Sequence, residues 1–215
     1  MNGMTGFNPQ QVHADIQAFS DHFYNCYDCF DTAYVDLFLA LSETWASPRA
    51  VEFSNTYAPK CYELLQKLGT EGEGNVKRVK QAFLAVASAN GYPGDFKDDG
   101  LLADDLNYVA DTYPLQEEKD GVVGMNIQAV VNEIIPEFER NIQAGIKEVE
   151  SLPDSIAFYD ADGSQQAAYS GTIKRVASEL STMAEEVKTA IINATNEEEN
   201  QITLAKQQAT ETLSN

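Results

Sequence analysis

His22, Cys26 and Cys29 fall at steps of four and three, which sets an imidazole and two thiols on one face of a helix. Those residue types at that spacing are what a zinc ion takes, with Cys61 or His13 as the only candidates for a fourth ligand. Cys26, however, also falls in a run of apolar residues, where a free cysteine packs as a small hydrophobe. The expectation is therefore core packing and no bound metal. A redox role for Cys26-x-x-Cys29 is not expected either, because such pairs work at a helix start, where the dipole lowers the thiolate pKa, and Cys26 falls in mid-helix. Three cysteines make an odd count, which does not read as a disulfide framework and fits synthesis in a reducing cytosol.

Other chemistries find no residue set. A di-iron site in a helical bundle needs two inward Glu-x-x-His pairs, and neither His13 nor His22 has Glu at that spacing. A Ser, Cys or Thr nucleophile would need one of the same two histidines as its base, and both lie in the first helical stretch with no loop nucleophile beside them. Gly69, Gly72 and Gly74 lead into no Gly-Lys-Ser/Thr, so no phosphate loop is present. The expectation is a protein without catalytic residues and without a cofactor.

The elements that must carry these residues are helices. From Val12 the apolar positions run Ile16, Phe19, Phe23, Cys26, Phe30, Ala33, Leu37 and Leu41, mostly in alternating steps of three and four. Asn8-Pro9 can start this helix, and it is expected to end near Thr44. Ser47-Pro48 repeats the start pattern after a short turn that holds Trp45, the only tryptophan. The next stripe, Ala50, Phe53, Tyr57, Cys61, Leu64 and Leu68, continues as Val76, Val79, Phe83 and Val86 past three glycines that mark a weak point or a break, so the expectation is one long helix bent at Pro59 from about Pro48 to Asn90, with two shorter helices as the alternative.

Between Gly91 and Gly124 the period fails, and nine acids stand against Lys97 and Lys119, an acidic linker in which Leu101 to Val109 could form a short helix. A third stripe runs Ile127, Val130, Ile134, Phe138, Ile142, Val149 and Leu152. Pro153 and the segment Asp160 to Ser164 supply a turn around Gly163, with Ser164 as cap for a fourth stripe from Tyr169 through Ile173, Val176, Leu180, Met183 and Val187. Past Asn196 the tail has little to bury and is expected to continue as helix, fraying toward Asn215. The fold class expected is all-α: an antiparallel four-helix bundle made of two long helical hairpins, residues 8–90 and 125–215, joined by the linker 91–124.

With 43% hydrophobic residues in 215, the chain can fill a core. Its 14 Lys+Arg against 34 Asp+Glu give a formal charge of −20, which argues against nucleic acid and anionic membrane surfaces, because both require a basic face. No Lys/Arg-led apolar run of signal-peptide or membrane-helix length is present, so neither membrane insertion nor ordinary cleaved-signal secretion is expected.

The two halves resemble each other as a degenerate tandem repeat: Ser47 to Phe53 and Gly163 to Tyr169 have the same spacing. The first half resembles the WxG family, the small helical-hairpin proteins exported by type VII secretion systems. The resemblance rests on Trp45-Ala46-Ser47 at the turn, a helix on each side, and Phe53 at the family's apolar position after the motif. It covers roughly Val12 to Asn90. Only Gly163 and Tyr169 echo it in the second half, and Ser47 stands where family members generally carry Gly. The family's Tyr-x-x-x-Asp/Glu export signal has its form at Tyr113 to Glu117, and also inside the first helix at Tyr24 to Asp28 and Tyr27 to Asp31.

The resemblance implies a non-enzymatic protein, made in the cytoplasm and secreted without a cleavable signal, that meets secretion machinery or a co-secreted protein. Family hairpins pair because one hairpin alone buries too little apolar area to offset chain entropy. Here the second hairpin is expected to be that partner, joined covalently, which implies a monomer with its hairpins paired within the chain. The alternative left by the residues is a cytosolic helical-bundle module that binds protein or metal with no link to secretion.

Overall fold

The computed structural model describes residues 8–89, 91, 114–153, 155–160, 163–168 and 171–214. The fold is all-α, a helical bundle, as the stripes predict. Its long helices are α1 (Pro9–Thr44), α2 (Pro48–Ala89), α4 (Ile135–Ser151) and α5 (Gly171–Ser214). A short α3 (Ile127–Ala129) leads into α4 through a π-helical segment, Val130–Ile134. Two small antiparallel pairs interrupt the helices: β1 (Trp45–Ala46) with β2 (Gly124–Met125), and β3 (Ser155–Asp160) with β4 (Gly163–Ala168).

The helix starts follow their caps. Asn8 Oδ1 accepts from the backbone N–H groups of Gln10 and Gln11 at 3.1 and 3.2 Å, and Pro9 follows it at the first turn, where its missing N–H costs nothing. Ser47 Oγ accepts from Ala50 N at 3.2 Å and Pro48 repeats the arrangement for α2. Asn126 Oδ1 accepts from Ala129 N at 3.2 Å and opens α3. α2 runs unbroken past Pro59 and past Gly69, Gly72 and Gly74.

The apolar period does not encode the π segment; Pro136 explains it. Proline at that position cannot donate to the carbonyl four residues back and its ring crowds that carbonyl. The preceding turn widens instead, so that Ile135 N–H bonds Val130 O, five residues back.

A second correction falls at Gly163. The bare turn expected there, with Ser164 capping the next helix, is a β-hairpin: Ser164 lies in β4 opposite Tyr159, and Gly163 pairs with Asp160 at its closed end. The stretch Ser155-Ile-Ala-Phe-Tyr-Asp carries the β-branched and aromatic residues that favour strand. α5 starts only at Gly171. The short helix expected over Leu101 to Val109 lies outside the described residues.

The chain divides into two compact units, each drawing on both halves of the sequence. One comprises residues 1–29, 64–109 and 144–179, so its described helices are the start of α1, the end of α2, the end of α4 and the start of α5. Its core holds Phe19, Phe23, Leu68, Val76, Ile173 and Val176. The Phe23 ring packs against Gly72, where a methyl group would overlap it. At its surface His22 Nδ1 lies 2.8 Å from Glu148 Oε2, and Lys67 Nζ donates to Glu179 Oε2 at 2.8 Å.

The other unit comprises 30–63, 110–143 and 180–215. Phe30, Tyr34, Leu37, Phe38 and Leu41 of α1 are buried there with Phe53, Phe138, Leu180 and Val187. Burial of each such side chain contributes roughly 1.5–3 kcal/mol. Tyr34 satisfies its buried hydroxyl by donating to Leu180 O at 2.6 Å, and its ring meets Phe138 edge-on at 5.4 Å.

Candidate functional site at the Trp45 turn

α1 ends at Thr44, whose Oγ1 folds back to Ala40 O at 2.7 Å. Trp45 and Ala46 then leave the helix in extended form as β1, and β2 pairs with them, Trp45 opposite Met125 and Ala46 opposite Gly124. Gly124 has φ +152°, a backbone conformation that L side chains rarely adopt. Two further backbone bonds close the turn: Ser47 N donates to Gln116 O at 2.9 Å, and Asn126 N donates to Thr44 O at 2.8 Å. Residues 114–126 thus form a strap across the turn.

The strap is built to hold. Leu115 is buried at its start. Lys119 and Val122 exchange both backbone bonds, at 3.0 and 2.9 Å, around Asp120 and Gly121 with φ of 52° and 78°. Two successive positive φ values make the mirror-image turn that Asp-Gly favours. Lys119 Nζ pairs with Glu43 and reaches Ser42 O at the end of α1.

Beneath the strap Trp45 is 2% exposed. Its ring meets Phe53 at 5.4 Å between centroids, and Phe53 in turn meets Phe38 at 6.0 Å and Tyr57 at 5.0 Å. Trp45 Nε1 donates to Ser47 Oγ at 3.0 Å and lies 3.4 Å from Glu198 Oε1. Ser47 Oγ donates to the same Glu198 oxygen at 3.0 Å. Glu198 is 7% exposed, and Arg49 Nη1 at 3.6 Å supplies the opposite charge that a buried carboxylate requires. Arg49 Nε also pairs with Glu197 at 3.2 Å.

Ser47 is fully used in this network: its hydroxyl accepts from Trp45 and Ala50 and donates to Glu198. The arrangement fixes the ends of helices; it presents no side chain poised to attack a substrate.

Of the residues singled out in the sequence, Trp45, Ala46, Ser47 and Phe53 come together at this turn. Glu117 is exposed in the strap beside Gln116. Tyr113 and Tyr169 lie outside the described residues, and Gly163 opens β4 in the other compact unit. Sequence reasoning missed Glu198, Arg49 and the strap. Arg49 directly follows the Ser47-Pro48 cap, and Asp120-Gly121 is a hairpin signature, so two of the three had a local trace.

Cys26 and Cys61 are wholly buried, and burial pushes each thiol up to about 12 from the ordinary 9.0. Cys29, half-buried, is raised for the same reason and by the neighbouring Asp28 carboxylate. Such thiols are poor nucleophiles. Among the described residues no group of three or more His, Cys, Asp or Glu is arranged to hold a metal ion. Also among them, no helix is long and apolar enough to cross a membrane.

Compared with protein-family models, curated proteins and solved structures, the chain matches none.

Proposed function

We propose that this chain is a WxG-like, non-enzymatic protein of a type VII secretion system, acting either as an exported substrate or as a chaperone-like escort of another protein. The observation that carries the reading is the turn itself: Trp45-Ala46-Ser47 joins two long helices, and Phe53 packs on the indole. That is a physical role for Trp45, Ser47 and Phe53, three of the residues on which the family resemblance rests. Trp45 pins the turn, Ser47 caps α2 where the family generally has Gly, and Phe53 widens the aromatic contact.

The second part of the reading is that the chain supplies its own partner surface. Within the unit that holds Trp45, α5 closes over the turn through Glu198 and residues 114–126 strap it. A chain so closed needs no second subunit to shield the indole.

The test is export in cells that carry such a system, followed with the secretion ATPase present and deleted. The protein should reach the medium in the first strain and stay inside in the second. Equal release from both strains would remove the secretion reading, whatever the stability of the protein.

A further inference from the structure

In the unit that holds Trp45, a groove of about 220 Å³ runs between α1 and the π segment with the start of α4. Ala33 and Ala40 leave one wall low, and Leu37, Ile134 and Phe138 make an apolar floor. The volume is several times the roughly 30 Å³ share of a liquid water, a size suited to a branched aliphatic side chain. The floor is held in place, because Phe138 rests edge-on against Tyr34, whose hydroxyl is tied to Leu180 O. One lip is the π segment, where Pro136 forces the helix wide; such segments recur at functional sites.

The rim carries charge that no cation among the described residues pairs with. Asp36 stands on the α1 side and Glu133 on the other, both exposed, and neither forms an ion pair among the described residues. Some other acids of the same unit do have a cation beside them: Glu43 has Lys119, Glu139 and Glu185 share Lys188, and Glu197 and Glu198 share Arg49. Glu137 at the rim pairs with Arg140. An apolar floor between two unanswered carboxylates is complementary to an aliphatic side chain flanked by cations.

We propose that this groove docks a basic amphipathic helix of a partner protein. One aliphatic side chain sits on Leu37 and Phe138, and Lys or Arg about a turn to either side reach Asp36 and Glu133. A second copy of this chain is the wrong occupant, since it brings a formal charge of −20 to an acidic rim. The inference stands apart from the secretion reading and does not need it.

The probe is a fluorescein-labelled peptide of about four helical turns, made of leucine and lysine with leucine on one face, against a scrambled peptide of the same composition. Binding is read by fluorescence anisotropy at physiological salt, where long-range attraction to the acidic surface is screened. The patterned peptide should bind about tenfold more tightly than the scrambled one, and Asp36→Lys with Glu133→Lys should remove that advantage. Glu199→Lys with Glu211→Lys makes the same change in net charge on the α5 tail and should alter affinity by no more than about twofold. Ala40→Leu, which fills the groove and leaves the charges alone, should also weaken the patterned peptide. The proposal is overturned if the two peptides bind alike or not at all, if the tail variant loses as much as the rim variant, or if Ala40→Leu has no effect. Circular dichroism confirms that each variant keeps its helix content.

Discussion

Replacing Trp45 by alanine removes a ring that is 2% exposed, meets Phe53, and holds Ser47 by a hydrogen bond. The expected loss is about 3–5 kcal/mol, read as a lower urea midpoint. A loss under about 1 kcal/mol would mean that the indole does not pin the turn. What made Trp45 legible in the sequence was its isolation: one large aromatic between two helical stripes, followed by a small residue and a Ser-Pro cap. Glu198 was not legible, because it sits in an acidic run, Glu197-Glu198-Glu199, in which nothing local distinguishes the one carboxylate that turns inward. Its burial is decided by Ser47 and Arg49, far away along the chain. Burial of Cys26 was legible for the opposite reason, since its position in an apolar stripe is a local fact.

At the scale of the element, α2 carries its own controlled comparison. Gly72 lies against the Phe23 ring with no room for a methyl group, whereas Gly74 meets only the far end of the Arg78 side chain at 3.7 Å or more. Gly72→Ala should therefore destabilise, by about 1–3 kcal/mol from overpacking. Gly74→Ala should stabilise by up to about 1 kcal/mol from helix propensity alone. Thermal melts of the two variants check this, and shifts of the same sign would contradict the packing described. The apolar stripes made α1 and α2 readable nearly to their ends because burial on one face imposes a period of three and four. The same period cannot encode the strap, whose hold on the turn runs through backbone groups: Ser47 N to Gln116 O, and Asn126 N to Thr44 O. Nor did periodicity reveal the β3–β4 hairpin or the π segment. Each has a local cause, a strand-forming run in one case and Pro136 in the other, that an apolar-period reading passes over.

For the whole molecule, titration gives a signed expectation at alkaline pH. Burial holds the Cys26 and Cys61 thiols up to about 12, and it raises the Tyr34 hydroxyl above its ordinary 10.0 as well. The folded chain keeps these protons at a pH where the unfolded chain gives them up. Their contribution to stability is therefore complete below the ordinary thiol value of 9.0 and is lost as pH rises from there toward about 12. Each thiol withdraws on the order of 1 kcal/mol per pH unit across that window. Urea midpoints taken at about pH 8 and about pH 10.5 should fall accordingly, and Cys26→Ala should flatten the slope. A midpoint that holds constant between the two would contradict the burial of these groups.

α5 continues beyond Glu198 to Ser214 with every residue from Glu199 onward facing water, Leu204 and Leu213 included. An exposed stretch of that length borders on what water permits a helix to keep. One covalent rod therefore has two tempers: amide protons past Glu198 should trade with deuterium almost as soon as the solvent is switched, while those around Val187 and Ile191 should wait for the surrounding unit to open. Any molecule that grasps this exposed end would announce itself by slowing the trade there and nowhere else.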